Sequence, residues 1–271
     1  MATNFLSRPE GRIAYDVTGD GPLVVCVPGM GVVRSVFRST VAPLVAAGYR
    51  VATFDIRGHG DSDDSFSSYD DEALASDLLA LIDHLGGGSA LVLGSSMGAG
   101  AGVIAAAQAP EKIAGLGLLG PFVRQPAVNA AKTLMMRVML TKPWGPAAWR
   151  TYHRSCYPGR KPADFADYEQ AIDASLRRGD HWRSFVKTTH TSHDPAEAAT
   201  ARVTAPVLVV MGARDPDWPD ATAEARWAAE RLNGELLIVP DGGHYPMAEY
   251  PELVNPALLA FAELVFGGIR A

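Results

Sequence analysis

Ser96 lies in the stretch LVLGSSMGAGA (Leu91–Ala101), with Gly94 two residues before it and Gly98 two residues after. A Gly-x-Ser-x-Gly turn between a strand and a helix is so tight that a Cβ at either flanking position would clash, and it presents the central serine at its tip. Ser95 would have Leu93 and Met97 in those places, so Ser96 is the candidate nucleophile. A serine hydroxyl attacks only after a base takes its proton, and the imidazole that does so needs a carboxylate to fix its tautomer. Of seven histidines, His244 follows the strand-like ELLIVP in the flexible loop DGGH and is the expected base. His84 falls in a predicted helix, His59 in a glycine-rich turn, and His153, His181, His190 and His193 in a helical segment. Asp215, the first acid after the apolar run PVLVVMGA, is expected to orient the imidazole, with Asp217 as the alternative and Asp220 read as a helix N-cap. His190, His193 and Asp194 imitate a metal cluster but have no partner elsewhere, so neither a metal nor a cofactor is expected.

These groups need a scaffold that brings distant strand ends together. Six apolar runs recur, starting at Pro22, Arg50, Ala90, Ile113, Pro206 and Glu235. Continuous rather than alternating apolar residues predict strands covered on both faces, as in a parallel sheet between helical layers. Most gaps between them are helix-sized. Asp70–Leu85 carries Leu74, Leu78, Leu81, Ile82 and Leu85 at helical spacing. Asn255 before Pro256 predicts another helix start, with a stop at Gly267–Gly268. The stretch RIAYDVTGDGP alternates and ends in a turn, so a small antiparallel hairpin is expected ahead of the parallel part.

Between Pro121 and Ala205 no strand-like run appears, and the segment reads as amphipathic helices rich in aromatics. Residues 122–198 hold 12 Lys and Arg against 7 Asp and Glu, a surplus of five, which leaves −11 for the remainder of a chain whose net charge is −6. The predicted organisation is therefore a core from residues 1–121 and 199–271, with 122–198 as an inserted helical cap.

A 271-residue chain with 48% hydrophobic residues can bury a large core. Its acidic balance argues against nucleic-acid binding, which needs clustered Lys and Arg. Cys26 and Cys156 are too few for a disulfide framework. The uncharged segment from Gly88 to Pro110 is broken by glycines and serines and is mostly alanine, so no membrane span is expected. MATNFLSRPEGR lacks the apolar core of a signal peptide, and a cytoplasmic location is expected. Nothing in the sequence selects an oligomeric state.

The Gly-x-Ser-x-Gly turn, the order Ser96, Asp215, His244 and the helical insertion resemble the α/β-hydrolase superfamily over nearly the whole chain, in its carboxylesterase and haloperoxidase-like branch. The resemblance implies a mostly parallel sheet flanked by helices, a Ser-His-Asp triad and a lid. It also implies an oxyanion hole made by the backbone N–H groups of Met97 and Met30. Where many relatives carry His-Gly in the loop before Met30, this chain has Pro28–Gly29, so the loop must be supported differently. DIRGHGDSD from Asp55 resembles the family's turn in which Arg57, Gly58 and Gly60 shape the loop. The implied activity is hydrolysis of a small-molecule carboxylic ester with an apolar acyl group, in a pocket for which Met30, Met97, Trp144 and Trp149 are the candidate lining residues. An acyltransferase, lyase or perhydrolase on the same residues is the first alternative, and a non-catalytic ligand-binding protein of the same fold the second. A base with an ordinary imidazole predicts activity rising through an apparent pKa of about 6–7.5.

Overall fold

The computed structural model describes residues 3–86, 88–126 and 130–267. The six apolar runs become β3 (Leu23–Val27), β4 (Arg50–Phe54), β5 (Ala90–Ser95), β6 (Ile113–Leu119), β7 (Val207–Gly212) and β8 (Glu235–Val239), which pair parallel with one another. They follow β1 (Asn4–Arg8) and β2 (Gly11–Thr18), and the eight strands form one sheet in the order β1-β2-β4-β3-β5-β6-β7-β8. The predicted hairpin is present, but its two arms are β1 and β2. The Gly-Asp-Gly turn instead leads from β2 into β3, which pairs with β4 and not with β2.

Every residue of β3, β5 and β7 is buried, because helices cover both faces of the sheet. One layer holds α2 (Asp71–Leu85), α3 (Met97–Gln108) and α9 (Ala221–Arg231), packed with Val25, Phe54 and Val92. The other holds α1 (Arg38–Ala46) and α11 (Pro251–Gly267), packed with Val24, Val51 and Leu91. The side chain of Asp70 caps α2 by accepting from the Ala73 N–H at 2.8 Å, and Asp220 caps α9 by accepting from Ala223 at 2.9 Å, as predicted. The start of α11 differs from expectation: Pro251 is its first residue and Pro256 lies inside it. Both prolines fit the helix-start pattern. The earlier one begins the helix directly after α10 (Pro246–Glu249), and Asn255 uses its side-chain amide to bind the Ser39 carbonyl at 2.9 Å instead of capping. Gly268 lies outside the described residues.

Between β6 and β7 the described chain is helical: α4 (Ala130–Met139), α5 (Gly145–Ser155), α6 (Phe165–Arg177), α7 (His181–Thr188) and α8 (Asp194–Ala199). Trp149, Phe165, Tyr168, Trp182 and Phe185 from this segment join the core around α1 and α11 through Val33 and Tyr245. Among the described residues no helix is long and apolar enough to cross a membrane. Cys26 and Cys156 are free and buried.

Candidate active site

Ser96 directly follows β5 and caps α3 with φ +56° and ψ −124°, a conformation rare for a residue with a Cβ and costly unless its surroundings hold it. Its N–H donates to the Leu119 carbonyl at 3.0 Å, and its own carbonyl accepts from Ala99 at 2.9 Å and Phe122 at 3.2 Å. A Cβ at Gly94 would lie 2.4 Å from the Gly98 carbonyl oxygen, and one at Gly98 would lie 2.2 Å from that of Val27. Both flanking positions therefore require glycine. Ser95 is fully buried, and its hydroxyl has no hydrogen-bond partner among the described residues.

The loop after β3 crosses this turn so closely that a Cβ on Gly29 would sit 2.6 Å from that of Ser96. Met30 follows Gly29 in the loop, and Met97 is the first residue of α3, where backbone N–H groups have no partner within the helix. Two side chains, His59, which has no assigned role in the sequence, and Trp149, expected there as a pocket-lining residue, clamp the next residue, Gly31. His59 Nε2 accepts from the Gly31 N–H at 2.9 Å while its Nδ1 donates to the Arg57 carbonyl at 2.9 Å. Burial pushes the His59 pKa down to about 4, which keeps the ring neutral and Nε2 free to accept. From the other side the Trp149 indole N–H donates to the Gly31 carbonyl at 3.1 Å. Gly31 has φ +71°, and a Cβ there would overlap the Trp149 ring at 2.1 Å. This clamp is the support that Pro28 cannot give. The available signal for His59 was its position: β4 lies beside β3, so the loops leaving them emerge together.

His244 and Asp215 arrive from the loops after β8 and β7, which touch so tightly that a Cβ on Gly212 would lie 2.1 Å from the Gly243 carbonyl oxygen. His244 Nδ1 is 2.8 Å from Asp215 Oδ2 and 3.3 Å from Asp217 Oδ2, so the structure brings both predicted acids to one ring nitrogen. Asp217 also receives the phenol of Tyr152 and donates its N–H to Asp215 Oδ1 at 3.0 Å. The His244 N–H donates to the Cys156 carbonyl at 2.9 Å. Just before His244, the Gly243 N–H donates to Glu249 at 2.5 Å, and Glu249 also accepts from Gly159 at 3.0 Å. Phe122, whose N–H binds Ser96, places its ring edge-on to His244 at 5.8 Å between centroids. Ser96, Asp215 and His244 are all buried, with Ser96 only 6% exposed.

Burial alone would lower the His244 pKa, but Asp215, Asp217, the hydrogen bond to Asp215 and Glu249 together raise it to about 9. The expected midpoint of about 6–7.5 is thereby displaced upward, because the sequence could not show how many carboxylates gather around one ring. Among the described residues, Asp215, Asp217 and His244 are the one group whose potential metal-ligand atoms all lie within 4.8 Å of each other. The 2.8 Å contact between Nδ1 and Asp215 gives that group the spacing of a shared proton.

The remaining candidates divide. Trp149 is buried against Gly31, whereas Trp144 is 53% exposed with its indole N–H on the Val138 carbonyl. His193 pairs with Asp71 at 2.7 Å, tying the insertion to the start of α2, and Asp194 begins α8 beside it. Arg57 grips both oxygens of Asp77 at 2.6 and 2.9 Å, and Gly58 and Gly60 both take positive φ.

A family model described as "Alpha/beta hydrolase family" matches residues 24–257. The chain is similar to a 2-(acetamidomethylene)succinate hydrolase of Mesorhizobium japonicum, 28% identical with 96% of each chain covered. It is also 27% identical to a dihydrolipoyllysine-residue acetyltransferase component of an acetoin cleaving system from Pseudomonas putida, where 81% of this chain spans 58% of that protein. Among solved structures it superposes on a bromoperoxidase from Bacillus anthracis with a TM-score of 0.84 at 20% identity, covering 97% of this chain and 100% of that one. An esterase from Exiguobacterium antarcticum gives 0.81 at 20% identity, covering 93% and 96%.

Proposed function

The chain belongs to the alpha/beta hydrolase family, and from the site it carries on that fold we propose that it is a serine esterase acting on carboxylic esters of small to medium apolar acyl groups. The observation that supports this reading is the pairing of a serine held at φ +56° with a buried His–Asp contact of 2.8 Å on the same edge of the sheet. In the proposed reaction Ser96 Oγ attacks the ester carbonyl carbon as His244 takes the hydroxyl proton. The tetrahedral oxyanion is received by the N–H groups of Met30 and Met97, next to the positive end of α3. Its collapse expels the alcohol, which takes the proton from His244, and leaves Ser96 acylated. Water then attacks the acyl carbon while His244 accepts a proton from it, and the second tetrahedral intermediate collapses as His244 returns that proton to Ser96 Oγ, releasing the carboxylic acid. Asp215 holds Nδ1 and offsets the imidazolium charge throughout.

The apolar preference is supported by Phe122, which contacts Trp218 at 5.0 Å between centroids, and by the buried Met97. Each buried methylene adds about 0.8 kcal/mol until space runs out. Residues 122–198 serve as the cap in this reading. A second reading, acyl transfer, is favoured by the likeness to an acetyltransferase component and by a serine only 6% exposed, which limits competing water.

The test is a panel of p-nitrophenyl esters with Ser96→Ala, Ser95→Ala and fluorophosphonate labelling. Ser96→Ala is expected to lower kcat by about 10⁴-fold to 10⁶-fold. Ser95→Ala should cost under about 30-fold, since its hydroxyl has no hydrogen bond to lose. An adduct mapped to Ser95, or a phosphate ester or peptide as the best substrate, overturns the reading. Ester products formed with added alcohol or thiol would favour transfer over hydrolysis.

A further inference from the structure

We propose that Asp217 is a second carboxylate partner of His244, held in place by Tyr152 of α5, so that a residue of the inserted segment helps set the basicity of the proposed base. The proposal rests on the reading of His244 as that base.

The Nδ1–H of His244 is a single donor, and Asp215 takes it at 2.8 Å. Asp217, at 3.3 Å, lies where its charge acts on the ring without owning the proton. Two carboxylates side by side repel unless each is compensated. Here the Tyr152 phenol binds one oxygen of Asp217, and the Asp217 N–H binds Asp215 Oδ1 at 3.0 Å. A cation between the two carboxylates completes the compensation, and the imidazolium is that cation. The arrangement thus favours the state in which His244 holds a second proton, which is the state formed when Ser96 attacks.

Other groups around His244 have different attachments. Glu249 from α10 binds Gly243 and Gly159, Asp215 holds Nδ1, and Cys156 meets the ring's own backbone N–H through its carbonyl. Burial lowers the His153 pKa to about 4, so that α5 residue brings no charge. Tyr245 packs edge-on to the ring at 4.8 Å, and its hydroxyl stays protonated because burial raises its pKa. Asp217 is thus the one of these acids tied by its side chain to α5. Trp149 of the same helix holds Gly31, so α5 reaches the oxyanion loop and the base together.

The experiment follows the rate of Ser96 modification by a fluorophosphonate between pH 6 and 11, beside p-nitrophenyl acetate kinetics, in the full-length wild type, Asp217→Asn, Tyr152→Phe and Asp215→Asn. Asp217→Asn should lower the pH midpoint by about one unit, which raises the neutral fraction of His244 at pH 7 about tenfold and, after the plateau loss below, leaves labelling at pH 7 between about equal to and about fivefold faster than in the wild type. Its plateau at high pH should fall about 2-fold to 10-fold, with KM within about twofold. Tyr152→Phe keeps the carboxylate but removes a donor from it, so the charge weighs more on the ring and the midpoint should rise by about 0.3–1 unit. Midpoints unchanged in both variants overturn the proposal, and Tyr152→Phe alone decides it if Asp217→Asn does not fold. Loss of labelling at every pH in a folded Asp217→Asn, with Asp215→Asn still active, also overturns it by making Asp217 the primary acid. Absence of Ser96 labelling in the wild type refutes the esterase reading instead.

Discussion

Helices α4 and α5 lie five residues apart in the inserted segment and are built for opposite purposes. Helix α5 sends Trp149 to Gly31 and Tyr152 to Asp217, and the turn after it gives the Cys156 carbonyl to His244 and the Gly159 N–H to Glu249. Residues 149 and 152 are three apart, which puts both side chains on one face of α5. Helix α4 instead leaves Leu134, Met135, Val138 and Met139 between 37% and 63% exposed, followed by the exposed Trp144. The helical segment between β6 and β7 is thus not one unit: α5 packs on the loops that carry Gly31, Asp217 and His244, and α4 covers nothing that the described residues show.

The sharpest way to break this contrast is Gly31→Ala. The new methyl group meets the Trp149 ring in a backbone conformation that favours glycine, so the loop carrying Met30 must move. Ester kcat/KM should fall by about 10³-fold, the scale of a lost oxyanion donor, with the fold retained by circular dichroism. Trp149→Ala removes the indole donor from the Gly31 carbonyl and empties the space its ring fills. It should lower kcat/KM by about 100-fold and cost about 3–5 kcal/mol in a urea melt. Glu249→Gln tests the far end of α5, because an amide cannot accept from Gly243 and Gly159 with both of its polar atoms. A loss of about 1–3 kcal/mol and about tenfold in kcat is expected. Burial raises the Glu249 pKa to about 7, against the pull of those two N–H groups, so the wild-type contact weakens as pH falls through about 7. The smallest effects belong to α4. Leu134→Ser and Val138→Ser should change stability by less than about 0.5 kcal/mol and kcat/KM by less than about threefold. If either matched Trp149→Ala, the division between the two helices would fail.

The pH profile sharpens the contrast from the side of the base. In the proposed reaction His244 must be neutral to accept the serine proton, and its pKa is raised to about 9, so activity should rise with pH toward that value. A profile already flat above pH 7.5 would place fewer charges on the ring than the structure does.

Local rules were enough for the parts of the molecule that short stretches of chain decide. Gly94 and Gly98 flank Ser96 in a turn that tolerates no Cβ at either glycine, and the six apolar runs encode the six strands, so both were legible, although the edge strand β8 is largely uncovered where burial on both faces was expected. Asp215 and Asp217 are two residues apart in one loop, and spacing alone leaves their roles open until a ring nitrogen sits 2.8 Å from one and 3.3 Å from the other. The clamp on Gly31 joins residues 28 and 118 positions away along the chain, a contact no periodicity signals. Pro256 misled because the features of a helix start recur inside a helix, and the packing that places α10 and α11 selects Pro251. Trp144 and Trp149 read alike in the sequence and differ only in which side of the insertion they occupy.

The strand order also has a consequence in time. Ser96 leaves the central strand β5, whereas His244 follows β8, at the edge of the sheet and 148 residues later in the chain. At about 5–20 residues per second, a ribosome spends roughly 7–30 s between the two. Throughout that interval the nascent polypeptide carries its proposed nucleophile without the imidazole that would activate it. In the proposed mechanism, that order keeps the serine without its base until β8 docks on β7, so an unfinished chain would neither acylate itself nor consume esters around it.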